Sequence, residues 1–452
     1  MSNLKFTKYH ISTEMLEDVG IPNKRIIFST RTATSILIDE KKYQLALNNS
    51  FNKIDSSLFT VLKEKGFLVP LEENEYFQVI SKNNEKKNES EYLSMTIQPT
   101  ANCQLGCHYC GQIHTKDYAN DKVIDKYYER IDYLLKQNQN YKGISITWYG
   151  GEPLTGLTSV KKTSEKLIQL CKKRRLDYIS DIITNGLSLK PKIFETLVKD
   201  CKITDYQITI DGIAESHDKR RMTKSGEPTF DIIMQNIIDV TNTKIYSKYN
   251  CRITIRINID KTNYQFVEPL IHFIKEKNLQ GKVSVYFATI VDFGSNNAGK
   301  VSLGKDFFAK KEIEWLYLCY EKGIDVNILP ERVYSVCMVE NKDSEVYDAF
   351  GNIYACWEFP YDKEYSKGNS LIGNLFNPKE TYNTNATLRD WSEVLDSGKT
   401  WCKTCLHLPI CGGGCPKSWH EGKPACPTFK FNYKDKLLLD YYVRKTKEKK
   451  NI

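Results

Sequence analysis

The chain of 452 residues lacks a long apolar run. No stretch of about 18 apolar residues occurs, which excludes an ordinary membrane-spanning helix. Met1–His10 has no apolar segment of the kind that a secretion signal needs. We therefore expect a cytoplasmic protein with no membrane partner. In that reducing compartment the 14 cysteines stay thiols that can bind metals, instead of pairing as disulfides.

A strong charge of one sign is also missing. The formal net charge of +9 is mild for this length and is compatible with an acidic peptide or a nucleotide partner. The basic stretches Lys172 to Arg175 and Lys445 to Lys450 contain no aromatic residues that could stack on bases. They are typical of solvated surface, so we expect no nucleic-acid partner.

Three cysteines are closely spaced in the first third of the chain: Cys103, Cys107 and Cys110, with Tyr109 before the third. Three thiolates can hold three irons of a four-iron cubane and leave the fourth iron open to a ligand. An electron-transfer cluster, in contrast, is normally closed by four cysteines. The spacing therefore predicts an iron–sulfur centre that does chemistry. A zinc site stays open as the alternative for these residues alone.

Short apolar runs downstream end in residues suited to ligand contact. Ile144 to Tyr149 is followed by Gly150, Gly151, Glu152 and Pro153, where two glycines allow close backbone approach and the glutamate offers an acceptor. Two further runs end in Thr184-Asn185-Gly186 and in Thr209-Ile210-Asp211-Gly212. His217, Asp218 and Arg221 follow the last of these runs, and the first two are either part of a site or a structural turn.

The cysteine triplet and these strand ends resemble the signature of the radical S-adenosylmethionine (AdoMet), or radical SAM, superfamily. The resemblance implies that Cys103, Cys107 and Cys110 hold the catalytic cluster, whose open iron binds AdoMet. It implies that reduction then yields a 5′-deoxyadenosyl radical, which takes a hydrogen atom from a substrate carbon. The implied contacts to the cofactor are Tyr109, the element of Gly150, Gly151 and Glu152 at the amino group, Asn185, Thr209 at the ribose and Arg221 at the carboxylate. The family often has serine at the position of Thr209 and glutamine at that of Tyr149.

A second set of cysteines lies in the C-terminal third. Its members are Cys337, Cys356, Cys402, Cys405, Cys411, Cys415 and Cys426, with Gly351 between the first two. Their order resembles the SPASM extension of radical SAM enzymes, which implies two auxiliary [4Fe-4S] clusters and thus three in all. By that resemblance Cys402, Cys405, Cys411 and Cys426 close one cluster, and Cys337, Cys356 and Cys415 hold the other. Its fourth ligand is Cys319, another residue, or none. A zinc-ribbon-like knuckle is the alternative.

The middle of the chain alternates β-like and helix-like periods. Six β-branched and aromatic runs with helical patterns between them predict a parallel sheet with right-handed crossovers. The runs are Tyr92 to Gln98, Ile144 to Tyr149, Tyr178 to Thr184, Thr204 to Ile210, Arg252 to Ile259 and Val283 to Ile290. Six units are too few to close a barrel of eight, so we expect an α/β fold with a partial, TIM-like (β/α)6 barrel. The predicted domains are residues 1–85, the barrel at 86–305, and the SPASM domain at 306–452.

The first 85 residues do not belong to the barrel. Lys82 to Glu91 is polar and predicts a linker. Upstream, strand-like runs at Ile26 to Ser29 and Ser35 to Asp39, a helix at Ser56 to Lys65 and a turn at Gly66 into another strand resemble a winged-helix-like α+β domain. Such domains accompany peptide-modifying radical SAM enzymes and capture a leader peptide as an added strand. A structural cap on the barrel is the alternative.

The resemblance implies an enzyme that matures a ribosomally made precursor peptide by forming a crosslink (thioether, ether or carbon–carbon) or an oxidised side chain. Its partners would be the precursor with its leader and an electron donor, namely a reductase, flavodoxin or ferredoxin. An anaerobic sulfatase maturase is the alternative, but in those enzymes an aspartate follows the cysteine that corresponds to Cys356, and here Trp357 stands there. Glu358 could replace it as the base only if the backbone turned it inward. A non-catalytic cluster-binding scaffold is disfavoured by the complete triplet with Glu152 and Arg221.

Overall fold

The computed structural model of the chain describes residues 3–17, 20–291, 298–377, 382–423 and 426–450. The outer ends of the first and last predicted domains, residues 1–2 and 451–452, lie outside this part. Within it, the N-terminal segment forms a two-stranded and a three-stranded sheet, with orders β1-β5 and β2-β3-β4. The elements are β1 (Leu4–Phe6), β2 (His10–Ser12), β3 (Lys24–Ser29), β4 (Thr34–Asp39), α1 (Glu40–Leu47), α2 (Ser56–Glu64), β5 (Leu68–Pro70) and α3 (Glu75–Asn88).

The predicted linker at Lys82 to Glu91 is wrong for most of its length, because α3 continues to Asn88. The Asn74 side chain caps the helix by accepting from the Phe77 N–H. Asn83 is buried and accepts a hydrogen bond from Arg332, and Asn84 donates to Asp396. The polar residues of this stretch belong to a helix and contact the C-terminal region. Composition alone does not distinguish such a helix from a linker.

The predicted barrel is confirmed as an open sheet of six parallel strands with helices in the crossovers. Each strand begins and ends within one residue of its predicted limits, since its alternating β-branched residues are buried against the helices. The strands are β6 (Tyr92–Ile97), β7 (Gly143–Trp148), β8 (Asp177–Thr184), β9 (Ile203–Thr209), β10 (Arg252–Ile259) and β11 (Val283–Thr289). The helices are α4 (Asp121–Gln137), α5 (Leu157–Arg174), α6 (Pro191–Lys199), α7 (Ala214–Arg220), α8 (Phe230–Thr241), α9 (Lys244–Lys248), α10 (Val267–Glu276) and α11 (Lys305–Lys322).

Helix α4 shows how the barrel core forms. Its Asn120 cap accepts from the Val123 N–H, and its apolar residues recur at helical spacing. Tyr127 and Ile131 on that face are fully buried against the strand residues that point to the same core. The buried faces of the helices therefore fix the strands and hold their carboxyl ends together at one rim.

The C-terminal region extends the same sheet. β12 (Glu345–Tyr347) pairs in parallel with β6, and β13 (Asn352–Tyr354) and β14 (Leu371–Asn374) follow in antiparallel order. Three short helices and one long helix complete the region. The short ones are α12 (Trp391–Asp396), α13 (Leu408–Cys411) and α14 (Pro416–His420), and the long one is α15 (Phe429–Lys450). The domain limit at 305/306 stays a prediction, and α11, just beyond it, buries Trp315 and Cys319 in the barrel core.

The N-terminal segment packs against the C-terminal region. Ile26 and Phe28 of β3 share a buried apolar cluster with Ile410, Tyr433 and Leu437. Among the helices that the structure describes, none combines the length and the apolar composition needed to cross a membrane.

Candidate active site

The three-cysteine loop leaves the carboxyl end of β6, at the rim of the barrel. Cys103 is buried, and Cys107 and Cys110 are partly buried. Burial raises the pKa of the Cys103 thiol to about 12, and the neighbouring Cys107 and Cys110 thiols add to the rise. Burial likewise raises the pKa of Cys110 to about 11. The three cysteines line one cavity, and a bound metal would offset the cost of ionising their thiols.

The Gly150-Gly151 turn after β7 is hydrogen-bonded to the cysteine loop. The Gly151 N–H donates to Gln112 Oε1 at 2.9 Å, and the Glu152 N–H donates to the Asn102 carbonyl at 2.7 Å. Gly151 has a φ of +54°, and a Cβ there would lie 2.6 Å from the Asn102 carbonyl oxygen. Glycine is thus required both by the backbone conformation and by the close approach of the loop.

The Glu152 carboxylate is already engaged by protein donors. It accepts from the Thr184 hydroxyl at 2.6 Å, the Asn185 N–H at 2.6 Å and the Leu154 N–H at 3.0 Å. Burial raises its pKa, and these hydrogen bonds act in the opposite direction. Glu152 therefore ties the end of β8 to the turn after β7. Asn185 in turn places its amide nitrogen 3.9 Å from Cys103 Sγ.

Tyr109, between the second and third cysteines, is the centre of a buried polar network. Its hydroxyl donates to Asp211 Oδ2 at 2.7 Å and accepts from Arg221 and from Asn258. Arg221 is buried, and its Nε has no hydrogen-bond acceptor among the described residues. A buried guanidinium N–H without an acceptor costs free energy, and an anionic ligand bound beside it would supply that acceptor.

His217 and Asp218 have structural roles. The Asp211 N–H donates to His217 Nδ1 at 3.2 Å, and His217 Nε2 lies 3.2 Å from the Thr229 hydroxyl. Asp218 accepts from the N–H groups of Thr229 and Phe230, at 2.8 and 2.9 Å. Both side chains therefore stabilise the chain around α7 and the turn that leads to α8. Of the two roles that the sequence left open for them, this is the structural one.

A cavity of about 250 Å³ brings these groups together. The residues predicted for the site that line it are Cys103, Cys107, Tyr109, Cys110, Gly151, Glu152, Asn185, Thr209 and Arg221. Gly150 is not among them, because it faces the Gln98 side chain, whose Oε1 would lie 2.1 Å from a Cβ. The carboxyl ends of β6 to β9, together with Arg221 at the end of α7, thus contribute to one site, as the parallel register of these strands requires.

The cavity also contains residues that the sequence left open. Glu358 is turned inward and lines the cavity, which is the position it would need to act as a base. Its carboxylate accepts a hydrogen bond from the Tyr149 hydroxyl at 3.0 Å. Burial raises the pKa of its carboxyl. Trp357 lines the same wall, with its ring 5.4 Å from that of Tyr149. Arg256 was missed, because an arginine within a strand gives no signal that it points into a site.

The C-terminal cysteines fall into two neighbourhoods. Burial raises the pKa of Cys411 to about 12, with further contributions from Cys402, Cys405 and Cys426. The other neighbourhood holds Cys337, Cys356 and Cys415, since burial raises the pKa of Cys356 strongly and both other thiols add to it. The resemblance to the SPASM extension implies the same two sets as cluster ligands, and that assignment stays a prediction. Within the described ranges, no group of three or more His, Cys, Asp and Glu side chains is arranged to hold a metal ion.

Cys319 is placed away from both neighbourhoods. It lies in α11 and is fully buried among apolar side chains of the barrel core. Burial raises the pKa of its thiol to about 12. Its surroundings are those of an ordinary core cysteine.

Known proteins are similar to this chain in sequence and in fold. Residues 97–262 match the sequence profile of the radical SAM superfamily. A cysteine-type anaerobic sulfatase-maturating enzyme of Clostridium novyi is 25% identical over 390 residues, covering 78% of this chain and 98% of the relative. A serine-type anaerobic sulfatase-maturating enzyme of Bacteroides thetaiotaomicron is 24% identical over 364 residues, covering 72% and 83%.

The fold is similar to that of native anSMEcpe solved with bound AdoMet and the Kp18Cys peptide. The TM-score is 0.57 at 20% identity, and the match covers 79% of this chain and 99% of that one. The profile match spans the cysteine loop, the Gly-Gly turn, Thr209 and Arg221, which the fold brings to one cavity. Residues 97–262 are therefore a radical SAM domain, and the protein is an enzyme.

Proposed function

We propose that this enzyme modifies a ribosomally made peptide by radical chemistry, forming a crosslink or an oxidised side chain. The observation that carries the proposal is that the cavity with the cysteine loop adjoins a larger groove of about 1240 Å³, since Arg256, Thr289 and Val291 line both. An extended peptide could reach the cavity through such a groove. Two relatives mature proteins according to their names, and the similar solved structure holds AdoMet and a peptide.

Cys103, Cys107 and Cys110 would hold a [4Fe-4S] cluster whose fourth iron binds AdoMet. Once reduced, this pair of cofactors supplies a radical that removes a hydrogen atom from a substrate carbon. The buried Tyr109 network holds the loop in place, and the wall formed by Tyr149 and Trp357 restricts water. The role of the protein is to position the groups and to exclude solvent.

The same cavity offers matching contacts for AdoMet. The free Nε of Arg221 would donate to the cofactor carboxylate, and Thr209 would meet the ribose. Two of the three protein donors of Glu152 bind its Oε1, so Oε2 still has room to accept from the amino group, and the carbonyl groups of the Gly151 turn are the other candidates. Asn185 would orient Cys103 and line the site.

We further propose two auxiliary [4Fe-4S] clusters. Cys402, Cys405, Cys411 and Cys426 would close one, and Cys337, Cys356 and Cys415 would hold three irons of the other. The placement of Cys319 argues against it as the remaining ligand. Ten thiolates that must stay reduced favour a cytoplasmic location and an external electron donor such as a flavodoxin, a ferredoxin or a reductase.

The N-terminal segment is proposed to bind the leader of the precursor. Strand β4 is at the end of the three-stranded order β2-β3-β4, so its outer edge could pair with an added strand. Hydrogen–deuterium exchange of the full chain tests this: precursor should protect residues 34–39, and precursor without its leader should not. Equal protection by both peptides would reduce the segment to a structural cap.

Formylglycine formation is the second candidate, since Glu358 lines the cavity and both curated relatives are sulfatase maturases. We expect no formylglycine, because Trp357 stands where those enzymes have an aspartate and offers only an N–H donor. Mass spectrometry after anaerobic incubation with a Cys-x-Pro-x-Arg peptide and its serine version decides between them. An aldehyde on either peptide would favour this candidate and make Glu358 the base.

The main test uses reconstituted enzyme, dithionite, AdoMet and a precursor encoded by a neighbouring open reading frame. We expect 5′-deoxyadenosine together with a peptide whose mass is lower by two hydrogens. With a deuterated precursor, deuterium should appear in the 5′-deoxyadenosine. Absence of AdoMet cleavage would leave a cluster-binding scaffold, whereas cleavage without deuterium transfer from any such peptide would exclude a peptide substrate.

A further inference from the structure

Arg256 lies next to the residue proposed to hold the ribose. In the sheet, its Cα pairs with Thr209 of β9 on one side and with Tyr286 of β11 on the other. Paired residues of parallel strands direct their side chains to the same face. The guanidinium accordingly lies over the Tyr286 ring, 5.6 Å from its centroid.

This position is the junction of two spaces. Arg256 lines the cavity that contains the cysteine loop and also the large groove along β10 and β11. Tyr286, which is 51% exposed, faces the same groove. A ligand that enters along the groove therefore meets Arg256 before it reaches the cysteine loop.

Arg256 makes no direct ion pair in the described part of the chain, although the Glu358 carboxyl in the same cavity is near enough for Arg256 to act on its pKa in the lowering direction, against the effect of burial. Its Nε donates to Asn258 Oδ1 at 2.8 Å, but its two terminal nitrogens have no acceptor in the part of the chain that the structure describes. Two other arginines nearby are paired: Arg220 with Asp260 at 2.8 Å and Arg252 with Asp205 at 2.5 Å. These nitrogens are not among the buried polar atoms that lack a partner, so water reaches them and a ligand carboxylate can take its place.

We propose that Arg256 binds a carboxylate of the peptide substrate, namely an aspartate or glutamate side chain placed beside the reacting carbon. The planar fork of the two free terminal nitrogens matches a carboxylate in a bidentate pair. The AdoMet carboxylate has its own candidate donor in Arg221, whose free Nε is buried in the same cavity. The inference rests on the proposed function and makes Arg256 a determinant of peptide specificity.

The test measures binding without turnover. Reconstituted full-length enzyme with AdoMet, but no reductant, is titrated with acetyl-Ala-Ala-Asp-Ala-Ala-amide and with its asparagine counterpart, and saturation-transfer NMR gives the affinities. We expect the aspartate peptide to bind about tenfold more tightly to the unmodified enzyme, as for a charge-assisted hydrogen bond. In Arg256→Gln the difference should fall below about twofold, and in Arg256→Lys it should be intermediate because the charge is kept.

Arg252→Gln is the matched control, because Arg252 lines the same groove but is exposed and paired. It should keep the full preference, and AdoMet affinity should be equal in all four proteins. Equal binding of the two peptides, binding of neither, or a preference that survives in Arg256→Gln overturns the inference. A loss of AdoMet affinity in Arg256→Gln overturns it too and makes Arg256 a cofactor ligand. In each case the unmodified enzyme is also assayed for 5′-deoxyadenosine with reductant. If it still forms this product, only the inference on Arg256 has failed, and the proposed radical chemistry stands.

Discussion

The barrel and the C-terminal cysteine region are built in different ways. The barrel strands are six to eight residues long, and its largest helices have 17 and 18 residues. Between residues 337 and 420, the described strands have three or four residues and the α-helices four to six. In the barrel, hydrogen-bonded ladders and an apolar core fix the cysteine loop before any ligand binds. In the C-terminal region much of the order would come from the clusters, because metal binding contributes directly to folding.

The largest expected effect separates the two regions by cysteine substitution. Cys107→Ala should abolish AdoMet cleavage and remove about four of about twelve irons, while hydrogen exchange of the barrel strands stays unchanged. Cys411→Ala should also remove about four irons, but it should raise exchange across residues 401–415. Iron analysis and exchange mass spectrometry measure both effects. Equal exchange changes in the two variants, or zinc in place of iron, would contradict the comparison.

The next effect concerns the contact between the N-terminal segment and the C-terminal region. Leu437 is fully buried between Phe28 and Ile410 in the cluster that joins them. Leu437→Ala should lower the free energy of unfolding by about 2–5 kcal/mol, since it leaves a cavity. Leu406→Ala, at a side chain that is 41% exposed, is the control and should cost less than about 0.5 kcal/mol. Urea denaturation of both variants gives the values, and a small cost at Leu437 would make the segment an independent domain.

A smaller effect is expected for the cofactor contact at the barrel rim. Arg221→Gln should weaken AdoMet binding by roughly 1.5–3 kcal/mol, the usual range for hydrogen bonds to charged groups. Iron content should not change, because Arg221 is not a cluster ligand. Calorimetric titration of the reconstituted protein measures the affinity, with Arg252→Gln as the control. Unaltered affinity in Arg221→Gln would place the AdoMet carboxylate elsewhere.

The smallest effect tests whether Cys319 belongs to the barrel core or to the cluster ligands of the C-terminal region. Because its thiol is packed in the barrel core, Cys319→Ala should cost about 1 kcal/mol of stability and remove no iron. Cys415→Ala should instead deplete one auxiliary cluster. A loss of iron in Cys319→Ala, with the Cys415 variant as the reference, would return Cys319 to the ligand set.

Prediction from the sequence succeeded where the pattern is local. Strands and helices of the barrel follow from hydrophobic periodicity, and the cysteines are visible from their spacing. It failed at Lys82 to Glu91, where polar residues form a helix whose contacts are distant in the chain. It also left the role of Glu152 incomplete, because two of its three donors lie at the end of another strand.

The sequence by itself determined the class of chemistry, since residue type and spacing decide what three thiols and a glycine turn can bind. Only the tertiary structure decided which groups are left unsatisfied. Glu358 faces the cavity and Cys319 faces the core because of helix and strand packing, not because of neighbouring residues. Arg256 has open donors because its neighbours in the sheet, Thr209 and Tyr286, carry no charge to pair with it. Such pairing depends on contacts between distant parts of the chain, which a one-dimensional pattern does not contain.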